Sequence, residues 1–281
     1  MISIRRARPD DLDFLLELVN HEDVQPFLAG RAGRDRAGIE AEIERSQREP
    51  TAYGRFVIEL DGARAGVLGF EEENRRSRIA HLERLAVHPD FRGQRVSDEA
   101  ARLLQRHLVL DLGYHRLQLE IYGFNDRAQR HAERVGFLRE GVRRQAYWRH
   151  GGWVDSALFA LVRDDLDVPA SIGLLHDYVM VHNECVRTGD WQPLAEWFTE
   201  DAQLAFEGVP VGPFDGREAI AAAYDAQPPD DEVVIFGTEE SSDGVVARYG
   251  WLREPGKQAG RMIVTQRDGK IEKLTVTFEA D

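Results

Sequence analysis

Lysine is missing from the first 170 residues of this chain, cysteine occurs once, and no run of about 20 apolar residues is present. Each absence excludes something. Without a long apolar run, no membrane-spanning helix is expected. The start, Met1-Ile2-Ser3-Ile4-Arg5-Arg6, lacks the apolar stretch of a secretory leader, so a reducing cytoplasm is the expected setting. Cys185 alone permits no intrachain disulfide. Its place in a helical pattern with Leu175 and Val181 predicts buried packing rather than nucleophilic chemistry. A basic face is also lacking. Of the formal net charge of −14, residues 171–281 carry −12, from 9 basic and 21 acidic side chains, which leaves 27 and 29 in residues 1–170. That balance argues against nucleic-acid binding and predicts two domains with different surfaces. The acidic second part is read as a solubility feature. A chain that is 42% hydrophobic and 31% charged is globular, and 281 residues exceed the usual single-domain size.

What is present is most informative between Leu82 and Ser97. The stretch reads as an apolar strand, a short loop, and then the first turn of a helix that begins at about Ser97. Such a turn aims backbone N–H groups at one spot, backed by the positive end of the helix dipole, and suits a phosphate or pyrophosphate. Gly93 is the lone glycine in the loop, so the three-glycine dinucleotide fingerprint is not met. No Gly-Lys-Ser/Thr occurs there either, which excludes a P-loop. A second segment follows the strand-like run Leu117 to Tyr122. It reads Asn125-Asp126-Arg127-Ala128-Gln129-Arg130-His131-Ala132-Glu133-Arg134-Val135-Gly136-Phe137, a helix with Gly136 at C′.

The rest of the first part supplies the remaining elements. Ile2 to Ala7 alternates as a strand, and Pro9-Asp10-Asp11 starts a helix with Phe14, Leu15, Leu18 and Val19 on its apolar face. Gly38 to Gln47 reads as a helix. Phe56 to Leu60 and Ala65 to Phe70 are strands joined by Asp61-Gly62, and Ile79 to Val87 is the next strand. A helix is predicted from Ser97 to Leu112, ended by Gly113. Phe137 to Tyr147 and Trp153 to Leu161 form a final antiparallel pair. The result is an α/β mixed sheet with helices on both faces. Arg163 to Pro169 is polar and closed by proline, a linker between domains at 1–166 and 171–281.

The strand–loop–helix resembles the coenzyme A loop of the Gcn5-related N-acetyltransferases, whose pattern is Gln/Arg-x-x-Gly-x-Gly/Ala after a strand ending in Val-x-Pro. Arg92, Val96 and Ser97 match, with Ser97 in the small-residue slot, while Arg95 stands where the family usually has its middle glycine. The Asn125 segment resembles the family's Asn-x-x-Ala…Gly-Phe helix beside the pantetheine arm. Many members carry a tyrosine at the position of Ala132. Variants without it resemble the subgroup that acetylates ribosomal-protein N-termini. The resemblance implies acetyl-CoA as co-substrate, held by Leu85, Ala86, Val87, Arg92, Gly93, Gln94, Arg95, Val96, Ser97, Asn125 and Ala128. It also implies that the strand before the loop splays from its neighbour, so that an amide near Leu85 to Val87 faces the thioester carbonyl. Arg95 leaves two options. Either the loop keeps to ordinary φ/ψ space, or binding is weakened.

Acetyl transfer to an amine needs a proton acceptor, a held oxyanion and a departing thiolate. His81, Glu83 and Leu85 alternate onto one strand face. Glu83 and His81 are the candidate bases, directly or through water. His131 precedes the missing tyrosine, but one residue turns a helical side chain by about 100°, so it is expected to point elsewhere. Arg143, Arg144, Tyr147 and Trp148 are placed near the acceptor mouth.

The second part reads as helices from Ile172 to Arg187 and Trp191 to Phe198, a strand Ala202 to Phe206, a helix Arg217 to Tyr224, and four β segments: 233–237, 244–251, 260–266 and 271–279. Gly189-Asp190, Leu194, Phe198, Asp201-Ala202, Gly216-Arg217 and Ile220 resemble the SnoaL-like and ketosteroid isomerase (nuclear transport factor 2-like) superfamily, which implies a cystatin-like α+β cone. The isomerase tyrosine and aspartate fall near His182 and Phe206 and do not match. Asp177, His182, Glu207 and Tyr224 are left as pocket candidates, with an accessory ligand-binding role favoured over catalysis. The expected activity is acetyl transfer to a primary amine, a peptide N-terminus or a small amine, with no metal, no nucleic acid or membrane partner, and a possible homodimer. Two other readings stay open: a small-molecule sensor with a degenerate transferase half, and a C-terminal isomerase or cyclase.

Overall fold

The computed structural model describes residues 1–28, 35–242 and 244–279. The chain divides into two units, residues 1–109 with 114–166, and residues 110–113 with 167–281. In the first unit, β1 (Ile2–Arg6) leads through Pro9-Asp10-Asp11 into α1 (Leu12–Asn20). Leu15, Leu18 and Val19 form its buried stripe, as expected. Helix α2 (Arg36–Arg48) starts two residues earlier than the periodicity indicates, because Asp35 caps it: its carboxylate accepts from the Gly38 amide at 2.8 Å. Strands β2 (Tyr53–Leu60) and β3 (Ala63–Asn74) are joined at Asp61-Gly62, both with positive φ, as a tight hairpin requires. Then come β4 (Ile79–Val87), α3 (Val96–Arg106), β5 (Arg116–Tyr122), α4 (Asp126–Arg134), β6 (Leu138–Arg149) and β7 (Gly152–Val162). The helix expected to run to Leu112 stops at Arg106. The next turn, His107–Asp111, widens to a π-helix.

The seven strands form one sheet in the order β1-β2-β3-β4-β5-β7-β6. Its β4–β5 pair is parallel, and the other pairings are antiparallel. Leu15, Leu18, Ile39 and Ile43 from α1 and α2 pack on Val57, Val67 and Ala86. Phe56, Phe70 and Tyr114 interlock as an aromatic group, with centroids 5.8–6.3 Å apart. Side chains buried this completely each contribute about 1.5–3 kcal/mol.

The second unit contains α5 (Ala170–Thr188), α6 (Gln192–Ala195), β8 (Phe198–Glu207), β9 (Phe214–Asp215), α7 (Arg217–Ala226), β10 (Val233–Ser241), β11 (Gly244–Trp251), β12 (Gly260–Arg267) and β13 (Lys270–Phe278). Its sheet order is β10-β11-β12-β13-β8-β9. The last four long strands are the expected antiparallel meander, and β8 joins β13 in parallel, Leu204 opposite Leu274. Cys185 is buried in this core. No described helix is long and apolar enough to cross a membrane.

Candidate active site

The site begins where two strands part. β4 and β5 pair only over Ile79–His81 with Arg116–Gln118, although β4 continues to Val87 and β5 to Tyr122. Beyond His81 the β5 side of β4 is open. On the other side, the register with β3 runs Phe70 to Leu82 and Gly69 to Glu83, then Val67 to Ala86. Leu68 therefore faces two residues, Arg84 and Leu85, which is a β-bulge. Arg84 takes φ 60° to make it. The bulge overturns the expected alternation. His81 and Glu83 share a face, but Ala86, which packs with Val57 and Val67, continues that face, and Leu85 turns to the opposite one.

Charges sit behind the bulge. Arg84 is ion-paired with Glu42 of α2 and lies 3.2 Å from the Glu83 carboxylate. Arg55 of β2, fully buried, approaches the other Glu42 oxygen at 3.4 Å. Burial works against the Arg84 charge, but Glu83 and Glu42 more than compensate and hold its pKa above the ordinary value. Burial lowers that of Arg55 and pushes the neighbouring Tyr53 hydroxyl up to about 12.

The loop that follows is Pro89 to Arg95. Gly93 has φ 81° and Arg95 has φ 58°. Left-handed residues two apart curl the main chain into a concavity of the kind that binds anions. The amides of Gly93, Arg95, Val96 and Ser97 have no hydrogen-bond partner among the described residues. A Cβ on Gly93 would meet nothing within 4 Å, so the space in front of it is open. This is the fit a diphosphate needs: orphan donors, an open approach and a helix N-terminus. Arg95 does not keep to ordinary φ/ψ space, but its backbone amide is retained. The arginine adopts the conformation glycine would have taken, at about 1–2 kcal/mol. Arg92 reaches back to the Asp23 carboxylate and carbonyl, both at 3.3 Å. The Ser97 hydroxyl lies 3.4 Å from Asp98.

Asn125 caps α4, its side-chain oxygen accepting from the Ala128 amide at 3.1 Å. Gly136, at φ 98°, closes the helix as predicted. Ala132 is buried. His131 points away from that position, as the helical rotation predicts: its Nε2 lies 3.4 Å from Asp98 at the start of α3. Burial holds its pKa below the usual value. Arg134 in turn keeps the Asp98 carboxyl low.

A cleft of about 220 Å³ lies at the foot of the open strands, lined by His81, Gln118, Glu120, Glu140 and Arg143, among others. His81 Nδ1 is 3.7 Å from Glu73. Glu120 was not singled out in the sequence. It accepts hydrogen bonds from the hydroxyls of Tyr147 at 2.7 Å and Ser156 at 3.1 Å, and from Arg143. Burial alone would raise its pKa, but these donors hold it below the usual carboxylate range. The same contact and burial push Tyr147 up to about 12. Period-2 spacing of Gln118 and Glu120 within an otherwise apolar strand was the available signal. Tyr147 and Arg143 do reach this site, whereas Trp148 is exposed against Trp153.

Of the pocket candidates in the second unit, His182 and Tyr224 come together, with ring centroids 6.4 Å apart. Glu207 lies exposed at the end of β8, while His182 and Tyr224 are buried. Tyr224 stacks on Trp191 with centroids 5.0 Å apart, and its hydroxyl meets that of Tyr178 at 2.8 Å. Burial lowers the His182 pKa to about 4 and raises the tyrosines.

Comparison with known proteins agrees with this geometry. Residues 2–138 match the family model of the acetyltransferase (GNAT) domain, and residues 180–274 that of the SnoaL-like domain. The chain is 24% identical over 172 residues to the SPbeta prophage-derived uncharacterized N-acetyltransferase YokL of Bacillus subtilis, covering 59% of this chain and 93% of that protein. It is 28% identical over 97 residues to spermidine N(1)-acetyltransferase of Escherichia coli, covering 34% of this chain and 52% of that enzyme. Among solved structures, the Vibrio cholerae spermidine N-acetyltransferase with CoA and spermine superposes with a TM-score of 0.54 at 19% identity, over 58% of this chain and 96% of that one. The ribosomal L7/L12 α-N-protein acetyltransferase RimL with CoA gives 0.53 at 22%, over 59% and 96%. At these identities the superpositions establish the fold. The strand–loop–helix, the parted strands and the two family matches lead to one assignment: residues 2–138 form an acetyltransferase (GNAT) domain, which uses acetyl-CoA, and residues 180–274 a SnoaL-like domain.

Proposed function

We propose that the first unit transfers acetyl to a primary amine, a peptide N-terminus or a small amine, bound in the cleft beside β5. The observation that carries this is the opening between β4 and β5, which ends at His81 and borders the orphan amides of the Gly93 loop on the same strand–loop–helix. The co-substrate, when bound, supplies the activated acetyl thioester. Gly93 to Ser97 hold its diphosphate through main-chain N–H groups. The β4 amides beyond the bulge donate to carbonyl oxygen.

His81 is assigned the proton from the attacking amine, directly or through water. It stands at the last paired position and lines the cleft. Glu83 is second choice, because its carboxylate is engaged by Arg84. A departing thiolate is a weak base, with a pKa near 8.5 for a simple thiol, and leaves without a tyrosine at the position of Ala132. Glu120, kept ionised by Tyr147 and Ser156, attracts and orients a cationic or polar acceptor.

The second unit is accessory in this reading. A paired Tyr178 and Tyr224 stand in its interior, rather than the tyrosine and aspartate of the isomerases. Acceptor profiling with acetyl-CoA, read by thiol release, tests the proposal. Polyamines, ribosomal-protein N-terminal peptides, aminoglycosides and amino acids form the panel. Turnover of an amine that is weakened through KM by Glu120→Gln supports the reading. Acetyl-CoA binding with no amine acetylated overturns it.

A further inference from the structure

The bulge in β4 is held from behind by side chains that belong to no binding surface. Arg84 occupies the left-handed region, where arginine is strained. Its guanidinium is tied to Glu42, which is 8% exposed on α2 and also faces the fully buried Arg55. A buried carboxylate between two arginines has few alternative positions, because leaving either cation unpaired in the interior is costly. The rotation of Arg84 therefore fixes the peptide planes on either side of it, and through them the amides of Leu85 to Val87. Ala86, paired with Val67, turns its amide toward β3 as His88 does, and alternation sends the Leu85 and Val87 amides to the open side of β4.

We propose that the Glu42–Arg84 pair is a positioning device for acetyl transfer: it locks the left-handed bulge and so sets the direction of the β4 amides that face the reacting carbonyl. Glu42 and Arg84 are positioning residues and touch no substrate. The inference rests on the acetyl-transfer reading for its rate consequence, but its structural half stands without it.

Two variants separate tether from backbone. Arg84→Gly keeps the left-handed conformation available and removes the tether. Glu42→Gln keeps the arginine and removes its partner charge. Both are expected to lower kcat about 10- to 100-fold, the scale on which small misplacements act, with the acetyl-CoA Kd and the acceptor KM within about threefold of the parent. Arg84→Lys, which keeps a cation for Glu42, is expected to recover most of the rate. Hydrogen–deuterium exchange of the Ala86 amide, which faces its partner Val67 on β3, supplies a readout that needs no turnover: exchange should rise at least tenfold in Arg84→Gly and Glu42→Gln and stay near the parent in Arg84→Lys. Unchanged exchange overturns the proposal, as does a rise of Kd and KM in step with the loss of kcat. A parent protein that acetylates no amine defeats the proposed function alone, and the exchange result then decides the positioning role. If Glu42→Gln fails to fold, Arg84→Gly and Arg84→Lys carry the same comparison.

Discussion

Replacing Arg95 by glycine isolates what the departure from the family's loop pattern does. Arg95 is exposed and sits at φ 58°, ψ 19° as the N-cap of α3. The left-handed conformation costs a non-glycine residue about 1–2 kcal/mol in the folded protein. Glycine removes that cost but loosens the unfolded chain by about 0.4–1 kcal/mol. The balance favours the variant by roughly 0.5–1 kcal/mol, or a rise of about 1–4 °C in midpoint for a unit of this size. Arg95→Ala separates the contributions, because it deletes the side chain and keeps the strain, and should melt close to the parent. The assay is thermal unfolding, following the transition that acetyl-CoA shifts upward. The amide of residue 95 survives in every variant, so the acetyl-CoA Kd should stay within about threefold. Arg95→Gly melting no higher than Arg95→Ala would refute the strain argument. A tenfold loss of affinity would show that the guanidinium itself holds the phosphates.

Four further outcomes follow from the same geometry. Ser97→Glu, which places a carboxylate among the orphan amides, and replacement of Gly93 by a bulky residue at φ 81°, should each abolish acetyl-CoA binding by calorimetry; unchanged affinity in both would remove the loop from the site. His81→Ala should cut turnover about 10²-fold, the scale of general base catalysis, most strongly at low pH where the amine is protonated, while near-normal rates in His81→Ala and Glu83→Gln would leave the proton to water alone. The buried His182 has its pKa lowered to about 4 against 6.5 unfolded, so its stabilising effect is complete above pH 6.5 and is lost as pH falls toward 4, by about 2–3 kcal/mol of unfolding free energy in urea titrations at pH 4.5; His182→Asn should flatten that dependence, and equal slopes would refute it. Limited proteolysis should cut between Arg163 and Pro169 and leave two stable fragments, whereas uniform digestion would mean that the second unit completes the fold of the first.

Much of this was legible in the sequence because it is written in local chemistry. Pro9 with two acids, Asp61-Gly62, Asn125 and Gly136 each specify a start, a turn or a stop through their own backbone preferences. The strand–loop–helix from β4 to α3 was legible for the same reason. What depended on residues distant in the chain was not. Alternation along β4 placed Leu85 with Glu83, and only pairing with Leu68 and capture of Arg84 by Glu42, 42 positions earlier in the chain, produce the bulge that turns it away. Glu120 read as one polar residue on an apolar strand, since its donors come from β6 and β7. Tyr178 passed unnoticed on a helix whose partner, Tyr224, lies 46 residues on.

The three-residue contact between β4 and β5 has a consequence for how the first unit holds together. On either side of it are continuous antiparallel blocks, β1 to β4 and β5 to β7, each laced along its length, while the seam between them carries only Ile79–His81 against Arg116–Gln118. Cooperativity across a sheet depends on such lacing, so the seam is where the two blocks can open independently. A co-substrate lying along the opening would act as a splint. In its absence, amides of β5 and β7 should exchange at a free energy distinct from those of β2 and β3. When it is bound, the two groups should merge toward one value, and saturation would then be visible as a gain in cooperativity as well as in midpoint.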